Sequence, residues 1–113
     1  MEKLNLKQRI GIDIGRRVSV EAGLQWAAEN EVLFVDVQTD IDPNRLESFD
    51  SQRCAKVRRL KDKHNIRLGL HTLSGVNVAE FSPFCREAVD QYLRSYIDLA
   101  VKVDAGWIVV HGG

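Results

Sequence analysis

With 113 residues, the chain is long enough for one modest domain built on one hydrophobic core. It is 44% hydrophobic and 28% charged, a globular composition rather than a disordered or fibrous one. Its 16 basic and 16 acidic side chains cancel, which removes any bulk electrostatic case for a nucleic-acid or membrane-surface partner.

The first four residues, M-E-K-L, lack the apolar core of a secretion signal. Residues 10–14 (I-G-I-D-I) read as a first strand. Ser19 is placed to cap a helix running to about Asn30, with Leu24, Ala27 and Ala28 on its apolar side. Residues 32–37 (V-L-F-V-D-V) form the second strand candidate. Asp42-Pro43 reads as an N-cap followed by a first-turn proline. Leu46, Phe49, Cys54, Val57 and Leu60 then mark an apolar stripe to about His64, with a break near Asp50-Ser51 and a stop at Asn65. The basic run Arg53, Lys56, Arg58, Arg59, Lys61 and Lys63 reads as the solvated face of that helix, beside Asp62 and Glu47. Residues 66–71 (I-R-L-G-L-H) are the third strand. Ser82-Pro83 opens the clearest helix, in which Ala88, Val89, Tyr92, Leu93, Tyr96, Ile97 and Ala100 recur on one face. Residues 107–111 (W-I-V-V-H) are the fourth strand, followed by G-G. Trp26 and Trp107 read as packing residues. No apolar run approaches the roughly 20 residues of a membrane span. Cys54 and Cys85 stand alone in helical patterns, without a CxxC, and read as buried, reduced thiols of a cytoplasmic protein.

The order β-α-β-α-β-α-β predicts parallel strands joined by right-handed crossovers. Strand side chains alternate between two faces. One parity is apolar throughout: Ile10, Ile12, Ile14; Leu33, Val35, Val37; Ile66, Leu68, Leu70; Ile108, Val110. The other is mixed: Gly11, Asp13; Val32, Phe34, Asp36; Arg67, Gly69, His71; Trp107, Val109, His111. A doubly wound sheet has helices on both faces and wants both parities apolar. A (β/α)8 barrel has helices outside only, and its C-terminal rim carries function. The fold class expected is therefore α/β, a partial (β/α)8 TIM barrel of about four parallel strands and three helices. A complete barrel takes roughly 250 residues, so the chain reads as a single domain, the N-terminal half of a truncated barrel.

His71 and His111 are expected at the same height and parity on neighbouring strands about 4.8 Å apart. Two imidazoles so placed can share a metal at about 2.0–2.1 Å, hydrogen-bond a substrate, or be satisfied core residues. Asp13 and Asp36 can add oxygens there, or cap the loops that follow them.

The segments L-G-L-H-T-L-S-G-V-N-V-A-E-F-S-P, R-E-A-V and W-I-V-V-H-G-G resemble the xylose-isomerase-like barrel superfamily. That group contains sugar (phosphate) isomerases and epimerases and the endonuclease IV abasic-site nucleases. The resemblance implies that His71 and His111 ligate a divalent metal (zinc, manganese or magnesium), and that Asp13, Asp36 and Asn77 contact substrate. It places the remaining ligands and the catalytic carboxylates on later strands. The nuclease branch reads His-Ala-Pro-Tyr after strand three, whereas this chain reads His71-Thr72-Leu73-Ser74 and lacks the aromatic. After His111 it has glycine where the nuclease has proline. The function implied is a sugar (phosphate) isomerase or epimerase moving a proton between adjacent carbons, with this chain inactive alone. A half-barrel leaves its first and fourth strands as open edges, so a homo-oligomer is expected. The partner implied is a small-molecule sugar or sugar phosphate, with neither nucleic acid nor membrane. The alternatives are an abasic-site endonuclease relative and a non-catalytic half-barrel oligomer.

Overall fold

The computed structural model describes residues 5–15 and 17–112. The M-E-K-L tetrapeptide, Arg16 and the last glycine of the G-G pair lie outside the described residues. A short helix α1 (Leu6–Arg9), capped by Asn5, precedes β1 (Ile12–Asp13), α2 (Val20–Glu29), β2 (Phe34–Val37), α3 (Ser51–Lys63), β3 (Arg67–His71), α4 (Pro83–Val103) and β4 (Trp107–Val109). The four strands form one parallel sheet in the order β1-β2-β3-β4. Among the described residues no helix is long and apolar enough to cross a membrane.

Within the paired strand residues the two parities separate as the sequence pattern predicts, but Val32, expected on the inner face, precedes β2 and packs against the core instead. Val35, Val37, Leu68 and Leu70 are buried against Val20, Leu24 and Ala27 of α2, Cys54 and Val57 of α3, and Tyr96, Leu99 and Val103 of α4. All three long helices thus cover one face. Ile12, Ile14 and Ile108 join the margin of this core, while Ile10 and Val110 are exposed.

α2, α3 and α4 end in the same way. Glu31, Asn65 and Asp104 take left-handed conformations with φ of 58°, 55° and 56°. The next amide then returns to a carbonyl five residues back: Val32 to Ala27, Ile66 to Lys61 and Ala105 to Ala100, each at 2.8 Å. These are Schellman closures, in which an apolar residue after the left-handed position drops back onto the core. Only Asn65 among the three is a residue type that signals such a stop.

Three local expectations need correction. Asp42-Pro43, whose peptide is cis, does not open α3. Leu46–Ser48 forms a single 3-10 turn, and α3 begins at Ser51 with Asp50 accepting a hydrogen bond from the Arg53 amide at 2.7 Å. The reason is tertiary. Buried Asn44 accepts from the Val20 amide and donates to the Val18 carbonyl, both at 2.8 Å, and the Leu46 amide closes onto Thr39 O. Second, the apolar band of α4 is only partly used. Tyr96, Leu99 and Val103 are buried but Ala88, Ile97 and Val101 are exposed, because α3 packs on one flank and no helix covers the other among the described residues. The first turns of α4 also stand clear of the sheet, so Cys85 is exposed while Cys54 is buried. Burial raises the Cys54 thiol above its ordinary pKa. Third, two members of the basic run turn inward. Arg53 binds Glu21 at 2.9 Å and lies 4.2 Å above the Phe49 ring. Lys61 reaches Asp62 at 2.8 Å and Asp104 at 3.0 Å. Burial alone would lower the Lys61 pKa, but its two carboxylate partners outweigh burial and raise it.

Replacing Glu31 with glycine tests the helix closures. Relief of a left-handed non-glycine residue gains about 1–2 kcal/mol, and the added backbone entropy of glycine takes back about 0.5–1 kcal/mol. A net gain of about 0.5–1 kcal/mol is expected for Glu31→Gly in thermal or urea unfolding. A clear loss of stability would show that Glu31 is held by something other than its backbone.

Candidate functional site

The inner face, opposite the helices, is shaped first by two glycines. A methyl group on Gly69 would lie inside the Trp107 indole, so the absent Cβ lets that ring fold across β3. A Cβ on Gly11 would stand 2.8 Å from Phe34 Cβ. Phe34 and Trp107 lie with ring centroids 6.3 Å apart. Together with Gly11, Ile12, Asp13 and Asp36 they line a concavity of about 250 Å³.

Register then sets the polar groups. Asp13 pairs with Asp36, Asp36 with Gly69, and Gly69 with Trp107, so these four positions share one row. His71 pairs with Val109. His111 therefore belongs two residues beyond the partner of His71, not at the same height as the sequence pattern suggests. The parity is still shared, and the side chains close the gap: Nε2 of His71 lies 3.0 Å from Nε2 of His111. The rings are 5.1 Å apart and tilted by 43°.

On its other side, His71 Nδ1 is 2.6 Å from Asp36 Oδ2 and 3.9 Å from Asp13 Oδ2. An ionised carboxylate only accepts hydrogen bonds, so Asp36 fixes the Nδ1–H tautomer and leaves the Nε2 lone pair facing His111. Asp13 Oδ1 accepts from the Gly15 amide at 2.7 Å, so Asp13 caps its own loop while its second oxygen faces His71. Asp36 Oδ1 is buried without a hydrogen-bond partner among the described residues. A buried, unpartnered carboxylate oxygen calls for an explanation, and a bound cation or donor is one.

Asp13, Asp36 and His71 each offer a donor atom within 4.8 Å of the others. A mixed oxygen and imidazole set suits the divalent ions named above. Asn77 has a local hydrogen bond, its Oδ1 accepting from the Ala79 amide at 3.0 Å.

The sequence pattern did not single out a second cluster beside this one. Asp40 accepts from Tyr92 Oη at 2.7 Å and from Tyr96 Oη at 3.0 Å. Tyr92 Oη in turn accepts from the Leu73 amide at 2.9 Å, and Tyr96 Oη accepts from the Thr39 amide at 3.2 Å. Burial, first of all, pushes both phenols above their ordinary pKa, which keeps them protonated donors. The i, i+4 spacing of the two tyrosines was visible, but only as part of an apolar stripe.

No protein-family model matches the chain, and no curated protein does. Among solved structures, the chain is similar to a crystal structure of D-psicose 3-epimerase in the presence of D-fructose. The TM-score is 0.72 at 13% identity, over 87% of this chain and 35% of that one. At this identity the similarity establishes the fold: four parallel strands and their helices, arranged as in part of an epimerase barrel. The chain spans about a third of the epimerase's length.

The glycine at position 69 has a measurable consequence. In a Trp26→Phe background, Gly69→Ala should push the Trp107 indole off the sheet, red-shift its fluorescence and cost about 1–3 kcal/mol. Adding Trp107→Ala should remove most of that cost. Unchanged fluorescence in the single variant would mean that the indole does not lie across β3.

Proposed function

We propose that this chain is the N-terminal, strand-one-to-four part of a metal-dependent sugar or sugar-phosphate isomerase or epimerase. The observation that carries the reading is the convergence of Asp36, His71 and His111 at the C-terminal ends of strands in an epimerase-like barrel array. The C-terminal rim is where barrels place their chemistry.

In this reading His71 and His111, whose Nε2 atoms face each other, would hold the ion. Asp36 stands behind His71 as the carboxylate that fixes its tautomer and orients its ring, a common arrangement at metal-bound histidines. When bound, a divalent ion polarises the carbonyl and hydroxyl oxygens of a sugar. Asp13 keeps a half-exposed carboxylate oxygen over the concavity, where it accepts from a substrate hydroxyl. The indole of Trp107 and the ring of Phe34 exclude water beneath it. Asn77 closes over the substrate from the β3–α4 loop. Proton transfer between adjacent carbons needs paired acid and base groups, which the family resemblance assigns to later strands, so the 113 residues alone give no turnover. Two unpaired thiols support a cytoplasmic setting.

Calorimetric titration with zinc or manganese tests the site. His71→Ala and His111→Ala should each weaken binding at least tenfold, and Asp36→Ala by about 10–100-fold as a loss of outer support. Metal binding indifferent to His71→Ala would overturn the assignment. Salt-dependent binding to an abasic duplex would point to the nuclease branch instead.

The same reading includes self-association. β1 and β4 are edge strands, with backbone groups open to pairing. Exposed Ile10, Val18 and Trp26 flank the first edge, and Ile97, Val101 and Val110 flank the other. Pairing with a second copy covers both. Sedimentation velocity at micromolar concentration is expected to show a dimer or larger species; a stable monomer would rule this out.

A further inference from the structure

The metal reading makes the pose of His71 decisive, and β3 alone does not hold it. The β2–β3 ladder ends with Val37 opposite Leu70, so His71 has no strand partner on that side. On the β4 side it pairs with Val109, and the amide and hydroxyl of Thr72 both donate to Val109 O, at 3.0 and 2.9 Å. That secures one edge only. On the open side lie the His71 carbonyl and, two residues on, the Leu73 amide.

α4 meets the amide: Tyr92 Oη accepts from it at 2.9 Å, while Tyr96 Oη stands 3.3 Å from His71 O. The two phenols sit one helical turn apart, with ring centroids 5.0 Å from each other. Each hydroxyl has one proton, and in both cases the shorter or charge-assisted acceptor is a carboxylate oxygen of Asp40. Asp40 therefore orients Tyr92, which holds the backbone amide two residues after His71, and draws the Tyr96 proton away from His71 O. The Thr39 amide, donating to Tyr96 Oη, anchors the same cluster to the end of β2.

We propose that Asp40 is a positioning residue for His71, acting through the hydroxyl of Tyr92, with Tyr96 tying the same carboxylate to the Thr39 amide at the end of β2. The proposal rests on the reading of His71 as a metal ligand. It goes further by assigning a role to a residue in the β2–α3 loop that does not itself belong to the ligand set. Functional groups must be held to within about 0.5 Å, and supporting hydrogen bonds do much of that holding. Without the carboxylate, the Tyr92 hydroxyl turns to solvent and no longer presents its lone pair to the Leu73 amide, and the Tyr96 proton turns to His71 O, a new bond that pulls on the strand end. The backbone after β3 is then free to shift, and His71 Nδ1 loses its registration with Asp36.

Two readouts on the full chain test this. The first is titration with cobalt(II) alone, followed by its visible absorption. Asp40→Ala and Tyr92→Phe should weaken His71-dependent cobalt binding about tenfold in the folded protein. Val57→Ala, a core change in α3, should lower stability and leave cobalt affinity at the parent value. The second is NMR of the metal-free chain. The His71 Nδ1–H resonance, protected from exchange by its hydrogen bond to Asp36 in the parent, should exchange with solvent in Asp40→Ala and broaden in Tyr92→Phe. If both variants keep the parent's cobalt affinity and His71 resonance, the proposal is overturned. If the parent itself shows no His71-dependent cobalt spectrum, the metal reading falls, and the Nδ1–H resonance alone decides whether Asp40 positions His71. If Asp40→Ala does not fold, Asp40→Asn and Tyr92→Phe carry the same two readouts.

Discussion

Helices on one side of a parallel sheet are the constraint from which the rest of this structure follows. Each strand then spends alternate side chains on the helix layer and has the others free for a different use. Val35, Val37, Leu68 and Leu70 meet α2, α3 and α4 and form the core. Asp13, Asp36, His71 and His111 occupy the opposite parity, so no helix competes for their space. The two glycines on that parity have no side chain, which is what lets two large aromatic rings lie across the sheet. The polar groups and the floor beneath them are thus consequences of one packing decision.

Within that layout, the bond between Asp36 and His71 gives the cluster its chemical direction. A carboxylate 2.6 Å from Nδ1 leaves the imidazole one free face, and His111 is on that face. The stagger between β3 and β4 would separate two shorter side chains. Histidine bridges it because its second nitrogen lies far from the backbone. Nearby, Asp40 uses its carboxylate quite differently, fully paired with two phenols. Asp36 keeps a buried oxygen without a partner among the described residues, whereas both oxygens of Asp40 are paired.

The rim loops share a second feature, which is that polar side chains stand in for missing backbone partners. Asn44 bridges the Val18 carbonyl of the β1–α2 loop and the first amide of α2. Tyr92 meets the Leu73 amide after β3. Arg53 ties the loop before α3 to Glu21 of α2. Loops fixed in this way hold strand ends at defined positions, which is what a barrel rim needs if several strands are to contribute to one centre.

The sequence by itself determined the layer plan: the strand order, the split of parities, and the presence of Asp13, Asp36, His71 and His111 on the inner face. Those follow from a period of two in the strands and from apolar spacing in the helices, both local properties. It also carried the family likeness through I-R-L-G-L-H and W-I-V-V-H-G-G. Tertiary structure decided where Asp42-Pro43 led, because Asn44 is held by the Val18 carbonyl, the first amide of α2 and Arg53 rather than starting a helix of its own. It decided which part of the α4 stripe is buried, because burial depends on what lies opposite and not on spacing. It decided that Glu31 and Asp104 would be left-handed, since the pull of Val32 and Ala105 toward the core outweighs a local preference. And it decided that Asp40 would serve Tyr92 and Tyr96, which lie more than fifty residues away along the chain. Hydrogen bonds across such distances leave no periodic trace in a sequence; they exist only once the strands have brought their ends together.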